Sequence, residues 1–171
     1  MKNLVLIGMA GAAKTTTGKA IAKKLNMPFF DTDEVYVSYY RESISDTFAN
    51  LGEEVFRKRE TAIAKMLGKA DGAVIACGGG IVLREENMTA LKANAVVVWL
   101  TASPEAIYAR VSRNDRRPLL HDGGIEKVRK MMSDREPLYR KYADITADNS
   151  FIGIDRCSDK IIAAYRAETR Q

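Results

Sequence analysis

Continuous runs of apolar residues alternate along the chain with stretches in which apolar residues recur every three or four positions. The short continuous runs are typical of buried strands, since a strand covered on both faces needs apolar residues at every position. The predicted strands cover residues 4–7, 29–30, 74–77, 95–100 and 144–147.

The stretches between these strands carry helical periodicity. Gly18, Ile21, Ala22 and Leu25 follow the i, i+3, i+4, i+7 pattern of one helix face. Ser103 followed by Pro104 is a typical helix start. The predicted helices cover about residues 14–25, 34–41, 43–48, 53–68, 85–93, 103–112, 125–135 and 154–164, with a break at Glu136 and Pro137 and a resumption over 138–141.

Strands and helices that alternate in this way predict an α/β fold, with a parallel sheet flanked by helices on both faces and right-handed crossovers. Ligands of such sheets bind beyond the carboxyl ends of the strands. With 171 residues the chain is expected to form a single domain over residues 1–171.

Charge and cysteine content narrow the function classes. The net charge of +5 suits anionic ligands. The sequence has no long run of Lys and Arg, which argues against nucleic-acid binding. Two distant cysteines and one histidine make a zinc site or a disulfide improbable. The first strand begins almost at the N-terminus and no apolar run is long enough for a membrane span, so we expect a cytoplasmic protein.

The loop after the first strand is the strongest chemical signal. A buried strand, a loop of small residues, Lys-Thr and a helix together describe a phosphate-binding P-loop. Such a loop turns backbone N–H groups toward an anion, and the lysine adds a positive charge for the β- and γ-phosphates. The candidate nucleotide-binding residues are Gly8, Gly11, Ala12, Ala13, Lys14, Thr15 and Thr16.

Ala13 departs from the usual P-loop pattern, in which a glycine precedes the lysine. A methyl group there could clash with phosphate, and a positive φ would cost roughly 1–2 kcal/mol. The alternative is an ordinary strand-to-helix turn that is rich in small residues.

Two further polar segments follow predicted strands. Asp31 and Asp33 come after the second strand, and Gly78, Gly79 and Gly80 follow the third. Both segments should meet the P-loop in one crevice at the carboxyl edge of the sheet. Capping and turn formation are the alternative explanation for the two aspartates, and a tight turn for the three glycines.

Taken together, these motifs resemble those of the shikimate kinase family over nearly the whole chain. The resemblance also includes Phe56-Arg57-Lys58-Arg59-Glu60, Arg116-Arg117-Pro118-Leu119-Leu120 and Arg135-Glu136-Pro137-Leu138-Tyr139. It implies a P-loop kinase fold of three layers, with a five-stranded parallel sheet, a substrate-binding insertion at about 33–60 and a lid at about 112–124. It also implies phosphorylation of the shikimate 3-hydroxyl by ATP with Mg²⁺, in the route to aromatic amino acids.

The resemblance implies a role for each matching residue on the acceptor side. Asp33 would accept the proton of the attacking hydroxyl, and Asp31 would hold Mg²⁺ opposite Thr15. Arg57 and Arg135 would bind the shikimate carboxylate. Gly78, Gly79 and Gly80 would let the backbone approach the substrate. Glu60 could orient Arg57, or the two could form a weak surface pair.

Two arginines match the nucleotide side of the family. Arg117 resembles the lid residue that covers the transferring phosphoryl group, and Arg110 resembles the one that stacks on adenine. Together with Lys14 and Asp33, Arg117 is expected to act in catalysis. His121 has no visible partner and receives no role, and Trp99 and Tyr139 are interpreted as packing residues. The family resemblance further suggests a monomer.

Two other functions stay open at the level of sequence. Ala13 is compatible with a weak or inactive relative that binds a nucleotide or a shikimate-like ligand as a regulatory module. A related small-molecule kinase, such as one for gluconate, is also possible. The complete set of charged site residues favours an active kinase, and the paired arginines with three glycines favour shikimate as its acceptor.

Overall fold

The computed structural model describes residues 1–113 and 123–170. In these ranges five strands form one parallel sheet in the order β2-β3-β1-β4-β5. The strands are β1 (Asn3–Ile7), β2 (Phe29–Asp31), β3 (Val74–Ala76), β4 (Ala95–Thr101) and β5 (Ile145–Asp148). The predicted α/β class with a five-stranded parallel sheet is therefore confirmed.

Eight helices connect and follow the strands within the described ranges. They are α1 (Lys14–Leu25), α2 (Thr32–Tyr40), α3 (Ile44–Leu51), α4 (Glu53–Leu67), α5 (Glu85–Lys92), α6 (Pro104–Val111), α7 (Gly124–Tyr142) and α8 (Ile154–Thr169). A short 3₁₀ turn covers Ile81–Leu83.

The sheet separates two apolar cores. Along β1, Val5 and Ile7 pack into the core that also contains Ile63 of α4, while Leu4 and Leu6 pack on the opposite face with residues of α1 and α8. This alternation follows from the two-residue period of a strand. Every residue of β1 is buried, which explains its continuous apolar run.

The first turn of α2 begins two residues earlier than the sequence predicts, because Asp31 caps this helix. Its Oδ1 accepts hydrogen bonds from the backbone N–H groups of Asp33 (2.9 Å) and Glu34 (3.4 Å). An aspartate in extended conformation satisfies the orphan donors of the first turn in this way. Asp33 is thereby placed in the first turn of α2, directly after β2.

The predicted break at Glu136 and Pro137 is wrong, since α7 continues through Pro137 to Tyr142. A proline inside a helix removes one backbone hydrogen bond, to the carbonyl four residues earlier. That carbonyl belongs to Ser133, and both Ser133 and Pro137 are exposed, so water can replace the lost donor. Burial of Val128, Tyr139 and Tyr142 holds the two halves of α7 against the core.

Within the described part of the chain, no helix combines the length and the apolar character that crossing a membrane would require.

Candidate active site

The P-loop motif lies between β1 and α1, at the carboxyl edge of the sheet. Gly11 has a φ of 85°, and a side chain there would meet Val111 and the Ile107 carbonyl of α6. The loop is therefore packed closely against α6, which explains a glycine at this position.

Ala13 is the N-cap of α1 and has a left-handed backbone, with φ 65° and ψ 33°. The strain expected from the sequence required a positive φ at Ala13, and the structure has one. A left-handed alanine costs roughly 1–2 kcal/mol relative to the right-handed region, which glycine would largely avoid. Ala13 therefore adopts a conformation that glycine would adopt at lower cost.

The Lys14 ammonium is held against its own loop. Its Nζ donates to the backbone carbonyls of Gly8 (2.8 Å) and Met9 (2.7 Å), and the residue is buried. These bonds fix a positive charge beside the N-terminus of α1, where the helix dipole is also positive. Both fields attract an anionic group such as a phosphate.

Thr15 and Asp31 join the P-loop to the end of β2. The Thr15 hydroxyl donates to Asp31 Oδ2 at 2.6 Å, while Asp31 Oδ1 caps α2. The two explanations that the sequence left open for Asp31, capping and a place in the site, are thus compatible. A hydroxyl and a carboxylate in contact beside a phosphate loop provide the oxygen ligands that Mg²⁺ prefers.

Three charged side chains meet at the glycine triad Gly78–Gly80. A Cβ placed on Gly78 would lie 2.7 Å from Asp33 Oδ1, and one on Gly80 would lie 2.5 Å from Arg57 Nη1. A Cβ on Gly79 would lie 3.5 Å from Arg135 Nη1. The triad therefore leaves space that the Asp33, Arg57 and Arg135 side chains use, and the structure brings these predicted residues together.

Glu60 holds one member of this cluster, Arg57, in place. Arg57 Nη1 donates to Glu60 Oε2 at 2.8 Å, and the Glu60 side chain is only 5% exposed. The interpretation of Arg57 and Glu60 as a weak surface pair is therefore wrong. Glu60 orients the Arg57 guanidinium. Burial raises the pKa of Glu60, while the charge and hydrogen bond of Arg57 oppose this rise.

Cys77 lies between the end of β3 and the glycine triad. It follows β3 directly and is buried, and both Cys77 and Cys157 are free thiols. Burial raises the pKa of the Cys77 thiol, with Lys14 lowering it and Asp31 and Asp33 raising it further. The buried thiol therefore stays protonated at neutral pH.

Tyr139 has a role that the sequence did not indicate. Its hydroxyl donates to the Gly79 carbonyl at 2.6 Å, and its ring stacks with Trp99 at a centroid distance of 6.0 Å. Burial raises the pKa of the phenol to about 12, against the effect of Arg135, so it stays a donor at neutral pH. The packing interpretation of both aromatic residues is correct, but for Tyr139 it is incomplete.

Arg110 and Asn149 lie on the other side of the P-loop. Arg110 donates to the carbonyls of Gly11 (3.1 Å) and Asn149 (2.8 Å). Asn149 is buried after β5, and its Nδ2 donates to the Ala12 carbonyl at 3.3 Å. Asn149 has no signature in the sequence, because a single asparagine beyond the last strand carries no motif.

Phe48 and Phe56 pack together beside the triad, with ring centroids 4.8 Å apart and the Arg57 guanidinium 5.0 Å from the Phe56 ring. They form an apolar wall next to the charged cluster. Arg117 and His121 lie outside the described residues, so the predicted lid contact stays a prediction.

In residues 1–113 and 123–170, no group of three or more His, Cys, Asp or Glu side chains could hold a metal ion. The oxygen pair of Thr15 and Asp31 has the chemistry that Mg²⁺ prefers, but it would supply only part of a coordination shell, with phosphate oxygens and waters completing it.

Comparison with known proteins relates this geometry to one family. The family model described as shikimate kinase matches residues 10–166. A shikimate kinase from Thermoanaerobacter pseudethanolicus is 40% identical over 166 residues, which cover 96% of each chain. One from Pseudomonas syringae pv. tomato is 42% identical over 149 residues, covering 86% of this chain and 87% of the relative.

Comparison with solved structures also finds a shikimate kinase. The shikimate kinase from Acinetobacter baumannii in complex with shikimate has a TM-score of 0.94 at 31% identity, covering 100% of this chain and 96% of that chain. A gluconokinase from Sinorhizobium meliloti has a TM-score of 0.68 at 15% identity, covering 97% and 92%. At that identity the second similarity shows a common fold alone.

Proposed function

The chain belongs to the shikimate kinase family, and we propose that it transfers the γ-phosphoryl group of ATP to the 3-hydroxyl of shikimate. The products are ADP and shikimate 3-phosphate, in the route to aromatic amino acids. The observation that carries this proposal is the cluster of Asp33, Arg57 and Arg135 around the glycine triad, beside a P-loop.

The P-loop would bind the nucleotide. Backbone N–H groups of residues 8–16 and the N-terminus of α1 would surround the phosphates, and Lys14 would supply the positive charge for the β- and γ-phosphates. Mg²⁺ would neutralise phosphate charge, and Thr15 and Asp31 would hold it. Their hydroxyl-to-carboxylate contact supports this role, because it brings the two oxygens within 2.6 Å of each other beside the P-loop.

The glycine triad would bind the acceptor. Arg57, held by Glu60, and Arg135, one turn before Tyr139 on α7, would bind the shikimate carboxylate. Gly78, Gly79 and Gly80 would let the sugar-like hydroxyls approach the backbone. Asp33 would hydrogen-bond the 3-hydroxyl and accept its proton as the oxygen attacks the γ-phosphorus.

The remaining family roles are proposals as well. Arg110 would stack on adenine, which is compatible with its place beside the P-loop. Arg117 would cover the transferring phosphoryl group and exclude water. Action as a cytoplasmic monomer, without a nucleic-acid or membrane partner, stays a prediction.

A coupled assay of ADP release tests the proposal, with shikimate and gluconate offered separately. We expect turnover with shikimate and little with gluconate, because only shikimate presents a fixed ring carboxylate to two arginines. Calorimetric binding of shikimate without turnover would support the regulatory-module alternative. Turnover with gluconate alone would overturn the choice of acceptor.

A matched pair of variants tests the carboxylate site. Arg57→Ala should raise the KM for shikimate by about 100-fold or more, since a charge-assisted contact is lost and Glu60 is left buried and unpaired. Lys58→Ala, at the next position of α4, removes an equal charge and serves as the control. Equal effects of the two changes would indicate a general loss of positive charge instead of a defined site.

A further inference from the structure

Asn149 connects three parts of the structure around the P-loop. Its backbone N–H donates to the Thr101 carbonyl (2.8 Å) at the end of β4, and its carbonyl accepts from Arg110 of α6 (2.8 Å). Its side-chain Nδ2 donates to the Ala12 carbonyl (3.3 Å). The side chain is 2% exposed, so water does not compete for this contact.

The Ala12 carbonyl belongs to the peptide that precedes the strained residue. Ala13 has a φ of 65°, which an L-residue adopts at a cost. A half-turn of the Ala12–Ala13 peptide plane would move this φ into the negative range that alanine prefers. The strain therefore favours a peptide flip at this position.

Such a flip would change the anion-binding face of the loop. The N–H of Ala13 and the carbonyl of Ala12 exchange directions when the peptide turns, so a nest of N–H groups would lose one donor and gain an acceptor. The flip would also direct the Ala13 N–H toward Asn149 Nδ2, which is itself a donor. With Nδ2 facing the loop, the Asn149 amide thus favours the unflipped peptide, because a flip would also require the buried side chain to turn and present Oδ1.

We propose that Asn149 is a positioning residue, which holds the Ala12–Ala13 peptide in its phosphate-binding orientation and thereby compensates for alanine at position 13. The proposal rests on the proposed function, in that the loop binds nucleotide phosphates. Arg110 contributes to the same contact network by holding the Gly11 carbonyl and the Asn149 carbonyl. A glycine at position 13 would carry no strain and would need less support.

A simpler role for Asn149 is to connect β4, β5 and α6. In that case its removal would weaken the fold, but the effect would not depend on the residue at position 13. Dependence on position 13 therefore separates the two roles, and a double-mutant cycle measures it.

The cycle comprises the parent chain, Ala13→Gly, Asn149→Ala and the double variant. Calorimetry gives the Kd of each for ADP with Mg²⁺ and, separately, for shikimate. We expect Asn149→Ala to weaken ADP binding about fivefold or more in the parent, and about twofold or less beside Ala13→Gly. The Kd for shikimate should stay constant across all four proteins, because the acceptor side is not involved.

Asn3→Ala is the matched control. Asn3 is also buried, and its Nδ2 donates to the Ala70 carbonyl at 2.7 Å, at the opposite end of β1 from the P-loop. Its effect on ADP binding should be the same with and without Ala13→Gly. Thermal melting identifies any variant that does not fold, and Asn149→Ser then replaces Asn149→Ala in the cycle.

Equal weakening of ADP binding in both backgrounds, or none in either, would overturn the role of Asn149. A parent chain that does not bind ADP at all would instead overturn the proposed nucleotide site. The two failures are therefore distinguishable in one set of titrations.

Discussion

The hydroxyl of Thr15 donates a hydrogen bond of 2.6 Å to Asp31 Oδ2, which links the first turn of α1 to the end of β2. These residues are 16 positions apart in sequence, and the order of the sheet places β3 between their strands. Because Oδ1 of the same carboxylate caps α2, the Asp31 side chain is fixed at both oxygens. This fixed geometry supports the proposed role of the pair as ligands of Mg²⁺.

We predict that Thr15→Val raises the Mg²⁺ concentration for half-maximal activity by about tenfold or more, because valine keeps the shape but removes the oxygen. The measurement is shikimate-dependent ADP release during a Mg²⁺ titration. Thr15→Ser keeps the hydroxyl and should behave nearly like the parent chain. An unchanged Mg²⁺ requirement in the valine variant would remove Thr15 from the metal site.

Asp33→Asn should lower kcat by about 10²–10⁴-fold, since the amide cannot accept the proton of the attacking hydroxyl. ADP binding should stay normal, because Asp33 lies on the glycine-triad side. Steady-state kinetics and calorimetry measure the two effects separately. Asp46→Asn, an exposed carboxylate on α3, is the control. Near-normal turnover of Asp33→Asn would exclude a role as general base.

Much of the fold is predictable from the sequence because its signals are local. The continuous apolar run of β1 and the helical spacing of α1 each depend on neighbouring residues alone, and both elements are observed. The error at Pro137 has the opposite origin. Whether a proline ends a helix depends on tertiary packing, here the burial of Tyr139 and Tyr142 beyond it.

The site was predictable only where motifs exist. Asp33, Arg57 and Arg135 belong to recognisable segments, and the structure brings them together. The contacts of Tyr139 and Asn149 depend on partners 60 and 137 residues away, which no local pattern specifies. The burial that turns Arg57 and Glu60 from a surface pair into a supported site likewise requires the assembled core.

Tyr139→Phe should raise the KM for shikimate by about two- to tenfold, because the Gly79 carbonyl loses its donor while the stacking with Trp99 is kept. The KM for ATP should change little. Tyr165→Phe is a matched control, since the Tyr165 hydroxyl donates to the Lys2 carbonyl at the far end of β1. Steady-state kinetics of both variants measure these KM values. An equal change in the KM for shikimate in the two variants would contradict the prediction.

Glu60 should impose a pH dependence on stability. Its pKa is raised above the unfolded value of 4.5, mainly by burial, so the folded state binds a proton more tightly in the window just above 4.5. Stability therefore falls as pH rises through that window. Glu60→Gln does not have this loss. The unfolding free energy of the variant minus that of the parent should therefore be larger at about pH 7 than at about pH 3.5. Urea denaturation at both pH values measures the difference.

Glu54→Gln provides a control of opposite sign on the same helix. The Arg84 hydrogen bond lowers the pKa of Glu54, so the stability from this pair is present above 4.5 and is lost as pH falls through the folded pKa. Relative to the parent, this variant should lose stability as pH rises over the same range. If both variants shifted in one direction, burial would not be the cause at Glu60.

Ala13→Gly should lower the KM for ATP or raise kcat, because glycine adopts a φ of 65° without strain and removes a methyl group beside the phosphates. The melting temperature should stay the same or rise by a few degrees. Relief of about 1–2 kcal/mol of strain stabilises the folded chain, while the greater freedom of glycine when unfolded offsets about 0.4–1 kcal/mol of it. Steady-state kinetics with varied ATP, together with thermal melting, test both statements. Unchanged KM and kcat would mean that the argument from strain and from a clash of the Ala13 methyl group with phosphate is wrong.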